Sequence, residues 1–343
     1  MIAEKASPIN RLRFLIIQTA WIGDAVLALP MAQELRRRHP EAEIHFLVRK
    51  GNESITENHP AIDVVWTWDK KENKYLNLLR LIFRLRKIPF SSIYNCQRYL
   101  SSGLLTLFLS AREKVGFDKN PMRFIFSEVV NHTISAAGEK IIHEVERNLS
   151  LIGDNFSEKR PRLYPGEKEH DLAQKICGNN KYIVIAPASA WFSKQLPIQS
   201  WIAFLKTVPA GLSVFIVGSK DEFAVGETLR QSHPSPQNLC GKLSLLESAA
   251  IMKGAVRVFV NDSGALHLAS AVNAPVTAVF CSTVPRFGFG PLSDDSVVVE
   301  THENLPCRPC GLVGKPFCPQ GHFRCGTGIS VEALAQTLPH LPG

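Results

Sequence analysis

The stretch LRFLIIQTAWIGDAVLALPMAQELRRR, residues 12–38, combines a strand pattern with a helix pattern. Leu12, Phe14, Leu15, Ile16 and Ile17 form an apolar run of strand length, and the short segment 18–23 follows as a tight turn. From Asp24 onwards the apolar residues recur at helical spacing, at Val26, Leu27, Leu29, Met31 and Leu35. Strand, turn and helix in this order predict the first unit of a doubly wound α/β sheet.

One acidic side chain, Asp24, stands where the predicted helix begins. Gly23 lets the backbone turn sharply just before it. Doubly wound sheets bind their ligands at the carboxyl edge of the strands, so this carboxylate is a candidate for chemistry. The alternative is that Asp24 only caps the helix, because Asp is a favoured N-cap residue. Position alone favours the capping role.

The composition is that of a folded protein with more than one domain. Of its 343 residues 45% are apolar and 20% are charged, and a chain of this length exceeds one ordinary hydrophobic core. The sequence shows no secretory signal pattern, and its longest uncharged apolar stretch, 103–111, is too short to span a bilayer. We therefore expect a cytoplasmic protein.

The net charge of +8 is uneven along the chain. Residues 1–150 carry 22 Lys and Arg against 16 Asp and Glu, whereas residues 151–343 carry 17 against 15. The first half should therefore prefer an acidic partner, which leaves nucleic acid, anionic lipid and a phosphorylated substrate as classes.

Strand and helix patterns alternate along the rest of the chain. The predicted strands are 43–48, 62–66, 93–95, 114–117, 182–186, 213–217, 256–260, 276–280 and the edge strand 297–299. The predicted helices are 75–88, 100–111, 143–152, 168–177, 198–207, 221–231, 245–253, 265–272 and 331–338. Because the pattern restarts after a polar stretch with Gly153, Pro161 and Pro165, we expect two α/β domains, 1–155 and 156–343.

The strongest motif is VNDSGALH, residues 260–267, which follows an apolar strand and opens a helix. Free backbone N–H groups at such a helix start form an anion site, and the Ser263 hydroxyl adds a donor. Gly264 permits close approach of a phosphate, and His267 lies one helical turn further on. The alternative is an ordinary Asp and Ser cap with an incidental histidine, and the pattern supports both equally.

A second motif, PASAWFSK, occupies residues 187–194 between a predicted strand and a predicted helix. Its last residue, Lys194, could neutralise a diphosphate without a metal ion. A single lysine on a loop is more often solvated, so this motif is weak by itself.

Two further segments carry acidic residues at helix starts. In GSKDE, 218–222, Glu222 could accept hydrogen bonds from ribose hydroxyls, although acids are also favourable in any first helical turn. The segment HEVER, 143–147, predicts on its own only a charged helix face.

The eight cysteines fall into two groups. Four stand in apolar surroundings and should be buried: Cys96, Cys177, Cys240 and Cys281. The other four are clustered, with His322 among them: Cys307, Cys310, Cys318 and Cys325. Four thiols can hold zinc, but the spacing departs from the common zinc ribbon because the second pair is not C-x2-C. We expect a structural role for the cluster, with or without a metal, and not a catalytic one.

Taken together, these motifs resemble glycosyltransferase family 9, the bacterial lipopolysaccharide heptosyltransferases, over nearly the whole chain. The marks shared with the family are IGD at 22–24, LP at 29–30, HEVER, Lys194 before Pro197, DSGALH at 262–267 and CPQGHFRC at 318–325. The chain departs from the family at Gln18, where Lys or Arg is frequent, and at Leu196, where Trp is common.

The resemblance implies a GT-B fold, which consists of two Rossmann-like domains with a cleft between them. The donor, ADP-heptose, would lie against the second domain. The acceptor, the phosphorylated or Kdo-bearing inner core of lipid A, would lie against the first, whose positive charge fits it. No cofactor and no nucleic acid are implied.

The same resemblance implies residue roles. Asp24 would be the catalytic base in a single inverting displacement, and Lys194 would stabilise the leaving diphosphate without a divalent metal. The residues implied to bind the donor are Ser189, Lys194, Glu222, Asp262, Ser263, Gly264 and His267. The residues expected to bind the acceptor are Gln18, Arg98, Arg123 and His143.

A membrane contact is a further expectation. Arg80, Arg84 and Lys87 form a basic stripe on the predicted helix 75–88. Because the family's acceptor is lipid-anchored at the cytoplasmic face of the inner membrane, we expect reversible, peripheral binding there. The alternative is a solvated helix face, which is what most such stripes are.

Three other functions are compatible with parts of the sequence. A related GT-B transferase could use another nucleotide sugar. A basic, zinc-dependent nucleic-acid-binding protein would fit the charge and the cysteines, but it would not explain two α/β halves. A catalytically silent protein could bind ADP-heptose and transfer nothing, and Asp24 would then be replaceable.

Overall fold

A computed structural model of the protein describes residues 11–135 and 139–339. The chain forms two compact units. The first contains 11–133 and Val145–Pro161, and the second contains the described residues of Ile134–Glu144 and those from Arg162 onwards. The second unit therefore includes a short piece of chain from the first half of the sequence. Each unit has a parallel sheet flanked by helices, which confirms the α/β class.

Six strands form the sheet of the first unit within the described residues. They are β1 (Arg13–Gln18), β2 (Glu43–Arg49), β3 (Val64–Trp68), β4 (Phe90–Asn95), β5 (Ala111–Phe117) and β6 (Glu128–Val130). Their spatial order is β3-β2-β1-β4-β5-β6, and every pair is parallel. This is the Rossmann order, in which the chain changes direction between β1 and β4.

The sheet of the second unit repeats this plan over the part of the chain that the structure describes. Its strands are β7 (Tyr182–Ala186), β8 (Ser213–Ile216), β9 (Pro236–Asn238), β10 (Arg257–Asn261), β11 (Val276–Phe280) and β12 (Ser296–Glu300). The order β12-β11-β10-β7-β8-β9 again places the change of direction at one strand pair, here β7 and β10. Ligand crevices of open α/β sheets lie at this point.

Helices connect the strands and cover the sheets. In the first unit they are α1 (Ile22–Arg38), α2 (Lys74–Leu85) and α3 (Leu100–Phe108). The HEVER segment contributes α4 (Glu144–Ser150). The second unit adds α5 (Glu167–Cys177), α6 (Ile198–Leu205), α7 (Phe223–Ser232), α8 (Leu245–Gly254), α9 (Gly264–Ala271), α10 (Arg324–Thr327) and α11 (Val331–Ala335).

Apolar side chains on the sheet faces form the cores. In the first unit Leu15 and Ile17 of β1 pack with Leu78 and Leu85 of α2, and all four are less than 5% exposed. In the second unit the core is built around fully buried aromatic side chains, Trp201, Phe204 and Phe259. Burial of such side chains contributes about 1.5–3 kcal/mol each, so these contacts stabilise the packing of the helices on both sheets.

The structure corrects the predicted start of α1. The helix begins at Ile22, and Trp21 occupies the N-cap position without a side-chain cap. Gly23 is therefore inside the first helical turn and not in the tight turn, and Asp24 is the third helical residue. The capping role that position alone favoured for Asp24 is wrong, because its carboxylate stands beyond the N-cap.

Candidate functional site

The loops after β7 and β10 meet at the change of strand direction in the second unit. Asn261, at the end of β10, is fully buried and bridges them. Its amide Nδ2 donates to the carbonyl of Pro187 at 2.6 Å, and its Oδ1 accepts from the backbone N–H of Leu196 at 2.9 Å. One side chain therefore fixes the PASAWFSK loop against the DSGALH loop.

An ion pair at this point joins the two motifs. The Nζ of Lys194 lies 2.6 Å from the Oδ2 of Asp262, and the two side chains are 17% and 6% exposed. The hydroxyl of Thr283 donates to the same carboxylate oxygen at 2.6 Å. The lysine is thus not the solvated loop residue that its motif alone suggested, because a buried carboxylate holds it.

Ser189 belongs to the same group of residues. Its hydroxyl donates to the backbone carbonyl of Asp262 at 3.3 Å, and its own carbonyl accepts from the side chain of Gln195 at 2.6 Å. The structure therefore brings together three of the predicted donor residues, Ser189, Lys194 and Asp262.

The start of α9 presents two polar atoms that have no partner among the described residues. Ser263 is the N-cap, yet its hydroxyl makes no cap hydrogen bond and is buried without a partner. His267 is 4% exposed, and its Nδ1 also lacks a partner. Unsatisfied buried polar atoms cost about 1–3 kcal/mol each, so they mark a place that a ligand can complete.

The imidazole of His267 is neutral at physiological pH. Burial is the main cause that lowers its pKa to about 3, and electrostatic interaction with His143 and with the Lys194 ammonium acts in the same direction. A neutral ring can donate or accept one hydrogen bond at Nδ1 towards a ligand. The neutral ring adds no charge to the site, where Lys194 is the cation paired with Asp262.

Glu222 lies in a short 3₁₀ helix, Lys220–Glu222, directly before α7. Its Oε2 accepts from the backbone N–H of Ser219 at 2.6 Å in a capping box. The structure therefore shows the alternative given for Glu222, which is that of an acidic residue favourable in the first turn of a helix. The side chain is nevertheless only partly buried.

The HEVER segment is not a solvated charged face. Glu144 and Arg147 are 6% and 3% exposed. The N–H of Glu144 donates to the carbonyl of Gly288 at 2.8 Å, and the ring Nε2 of His143 lies 3.1 Å from the carbonyl of Gly290. His143 therefore belongs to the second unit, which also contains His267, and not to the first, where it was expected.

In the first unit, the carboxyl ends of β1 and β4 are joined by a buried amide network. Gln18, which is 2% exposed, accepts at Oε1 from the side chain of Gln97 at 2.9 Å and from the N–H of Ala20 at 3.3 Å. The Thr19 hydroxyl donates to Gln97 at 2.7 Å. Gln18 thus supports the loop that leads into Asp24, which is partly exposed.

Sequence reasoning missed a group of cations beside this loop. The Nζ of Lys70 donates to the carbonyl of Thr19 at 2.6 Å and lies 4.4 Å from the ring centre of Trp68. Burial, followed by the charges of Lys74 and Arg49, lowers the pKa of Lys70 to about 8. The signal in the sequence was the basic segment after β3, which contains Lys70, Lys71 and Lys74.

The two arginines expected to bind the acceptor are exposed. Arg98 follows β4 in the loop before α3. Arg123 starts a 3₁₀ helix, Arg123–Ile125, and its guanidinium donates to the carbonyl of Asp118 at 3.4 Å. Both remain available to an anion.

Cys96, Cys177, Cys240 and Cys281 are buried free thiols, as predicted. The Sγ of Cys307 lies 3.8 Å from His322 Nε2, but no three His, Cys, Asp or Glu side chains within 11–135 and 139–339 are arranged to hold a metal ion. Burial and then the neighbouring thiols raise the pKa of Cys325 to about 11.

The tail between these cysteines also supports the site, because the N–H of Lys315 donates to Ser193 Oγ at 2.8 Å.

The fold and site have known relatives. The family model of glycosyltransferase family 9 (heptosyltransferase) matches residues 78–314. Lipopolysaccharide heptosyltransferase 1 of Campylobacter coli is 25% identical over 292 residues, which cover 79% of this chain and 84% of that protein. Lipopolysaccharide heptosyltransferase 3 of Escherichia coli is 25% identical over 279 residues, which cover 76% and 81%.

Solved structures show the same fold. A family 9 glycosyltransferase from Veillonella parvula has a TM-score of 0.74 at 19% identity and covers 84% of this chain and 85% of its own. An E. coli heptosyltransferase solved with ADP has a TM-score of 0.71 at 20% identity and covers 95% and 98%. The GT-B fold expected from the sequence is thereby confirmed. Because the family model matches more than half of its residues, the chain belongs to glycosyltransferase family 9, the heptosyltransferases.

Proposed function

We propose that this heptosyltransferase moves heptose from ADP-heptose to the inner core of lipopolysaccharide, either lipid A-Kdo or a heptosylated core, by an inverting and metal-independent reaction. One observation carries the proposal. A buried Lys194–Asp262 ion pair adjoins the unpartnered Ser263 hydroxyl and His267 ring at the change of strand direction. This arrangement offers a cation, a hydroxyl and helix N–H groups to one diphosphate.

The donor would be held by the second unit. The N–H groups at the start of α9 and the Lys194 ammonium would bind the diphosphate, and both would bind it more strongly as negative charge develops during departure. Gly264 has no side chain, so a phosphate could approach its backbone closely. Ser189 and His267 would contact the donor from the two sides of the site, and Glu222 would reach the ribose by exchanging its cap hydrogen bond.

The chemistry would be one displacement at the anomeric carbon. An acceptor hydroxyl oxygen forms a bond to that carbon while the bond to the diphosphate oxygen breaks, so ADP leaves with the electron pair. Asp24 takes the hydroxyl proton as general base. Attack from the face opposite to the leaving group inverts the anomeric configuration. A lysine ammonium neutralises the leaving group, so this scheme needs no divalent cation and no cofactor.

The acceptor would be held by cations. Arg98, Arg123 and the group near Thr19, which contains Arg49 and Lys70, would bind phosphate or carboxylate groups of the core. Gln18 would act through the loop that it supports, and His143 would also bind the acceptor. Within the described residues, none of the helices combines the length and the apolar character that crossing a bilayer requires. We propose that the enzyme works at the cytoplasmic face of the inner membrane as a peripheral protein that binds no nucleic acid.

A donor panel tests this function. Purified protein is incubated with a truncated core acceptor and with ADP-heptose, ADP-glucose or UDP-sugars, and release of ADP or UDP is measured. We expect release with ADP-heptose that depends on the acceptor. Preference for a UDP-sugar would favour a related transferase, and binding of ADP-heptose without release would favour the catalytically silent protein.

A further inference from the structure

Helix α2 is apolar on two faces. One face packs on the sheet through four buried side chains, Leu78, Leu81, Ile82 and Leu85. Four large side chains elsewhere on the helix are exposed by 69%, 47%, 51% and 57%: Tyr75, Leu76, Leu79 and Phe83. At 100° per residue, Leu76, Leu79 and Phe83 fall within a single arc of about 60°. This exposed apolar stripe is contiguous, and packing of the first unit does not account for it.

All charged side chains of α2 and of the two residues that follow it are positive. The segment 74–87 contains Lys74, Arg80, Arg84, Arg86 and Lys87 and no acidic residue. In the part of the chain that the structure describes, none of these five forms an ion pair with a carboxylate. Arg84 instead lies 5.1 Å from the ring centre of Trp66, and Arg86 lies 5.3 Å from that of Phe83. These cations are available to an external anionic surface.

The combination of an exposed apolar stripe with positive charges distinguishes between the possible binding partners of this face of α2. A solvated face would explain the arginines but not four exposed large apolar side chains on three turns. An anionic small molecule would use the cations and leave the apolar stripe uncovered. A layer of anionic lipid headgroups above acyl chains matches both features, because an interfacial helix buries its apolar face by about 5–10 Å while its basic flanks remain among the phosphates.

We propose that α2 is the membrane-docking element of this protein and binds an anionic lipid bilayer, with Leu76, Leu79 and Phe83 entering the headgroup region and the basic residues on either side contacting lipid phosphates. The inference deepens the proposed function, on which it rests, by naming the surface that reaches the membrane of the lipid-anchored acceptor. Tyr75 would lie at the same level, where amphipathic rings are favoured.

Vesicle cosedimentation with the full chain tests the proposal. The probes are vesicles of phosphatidylcholine alone and vesicles that also contain phosphatidylglycerol. Wild type should bind the anionic vesicles at least tenfold better than the neutral ones, and binding should weaken as salt rises because charges are screened within about 10 Å at 0.1 M. Leu79→Ser/Phe83→Ser and Arg80→Glu/Arg84→Glu should each lower binding to anionic vesicles at least tenfold.

A matched control replaces two similarly exposed apolar side chains in another part of the protein. Leu312 and Val313 in the second unit are 50% and 62% exposed, so Leu312→Ser/Val313→Ser should bind vesicles like wild type. Circular dichroism checks that every variant is folded. Equal binding of wild type to both vesicle types, no loss in the α2 variants, or an equal loss in the control would overturn the proposal. The proposal would also be overturned if the wild-type protein does not bind vesicles but associates with itself, and Phe83→Ser abolishes this self-association.

The same variants separate this inference from the proposed function. Transfer to a truncated acceptor in solution needs no membrane, so both α2 variants should keep wild-type transfer while they lose vesicle binding. If vesicle binding is unaffected and transfer is normal, the docking surface is wrong and the function stands. If the α2 variants lose vesicle binding as expected but the wild-type protein transfers no heptose, the proposed function is wrong.

Discussion

Lys194 Nζ lies 2.6 Å from Asp262 Oδ2, and Thr283 donates to the same oxygen at the same distance. The lysine is therefore held by an acid at the point where a diphosphate is expected to bind. Because both side chains are largely buried, the ion pair is screened less than a surface pair. A bound diphosphate would compete with the carboxylate for the ammonium group, and Asp262 would set the direction in which Lys194 points.

Lys194→Ala should weaken ADP binding by about 10- to 100-fold. A charge-assisted contact contributes about 1.5–3 kcal/mol, and each 1.4 kcal/mol is a factor of ten. Isothermal titration calorimetry with ADP measures the change.

The substitution also leaves the Asp262 carboxylate buried without its cation, which by itself destabilises the fold. Lys194→Met/Asp262→Asn removes both charges and should restore thermal stability without restoring ADP affinity. Wild-type affinity in this double variant would show that Lys194 has only a structural role.

Transfer should not depend on a divalent metal ion. In the proposed mechanism Lys194 and the start of α9 would supply the positive charge that a metal would otherwise provide, so EDTA should leave the rate unchanged and added magnesium should not raise it. Circular dichroism in EDTA must show an intact fold, because the cysteine cluster could hold a structural metal. Loss of activity in EDTA with an intact fold, restored by magnesium, would contradict this mechanism.

Stability should fall in acid because of His267. Its pKa is about 3 in the folded protein and ordinarily 6.5, so between these values the unfolded chain binds the extra proton. The stabilisation is complete above pH 6.5 and is lost as the pH falls towards 3, at up to about 1.4 kcal/mol per pH unit.

Urea unfolding of wild type and His267→Gln at pH 7.5, 6 and 5 measures this contribution. The variant should lose less stability than wild type over the same pH range. Identical pH dependence in the two proteins would mean that the pKa of His267 in the folded protein is close to its ordinary value.

Asp24→Ala should lower transfer by about two to four orders of magnitude, the usual contribution of a general base. The residue lies in the first turn of α1 without serving as its N-cap, so the fold and ADP binding should be nearly unchanged. Thermal unfolding and ADP titration are the controls. Turnover near the wild-type rate would remove Asp24 from the mechanism.

The regular strands and helices were predictable because neighbouring residues in each of them favour the same type of secondary structure. β7 was predicted at its observed bounds, since five consecutive buried residues, Tyr182 to Ala186, lie between polar segments. The third strands of the two α/β repeats differ: β3 was predicted, but β9 was missed because Pro236, Gln237 and Asn238 have no strand pattern. β6 was missed because it has three residues and lies at an exposed edge.

The site was predictable only in part. Each half of the Lys194–Asp262 pair follows a strand, but their contact depends on the adjacency of β7 and β10, which no local pattern contains. The start of α1 was placed late because Trp21, an unusual N-cap, gives no capping signal. Lys70 was missed because burial beside Trp68 and Thr19, and not its sequence context, makes it unusual.

The most direct test of the central claim is an NMR analysis of the product that wild-type protein forms from ADP-heptose and a truncated core acceptor in the presence of EDTA. The account predicts one new heptosyl linkage to the core, with an anomeric configuration opposite to that of the donor. Retention of the donor configuration, or an acceptor recovered without heptose while ADP-heptose is intact, would contradict it.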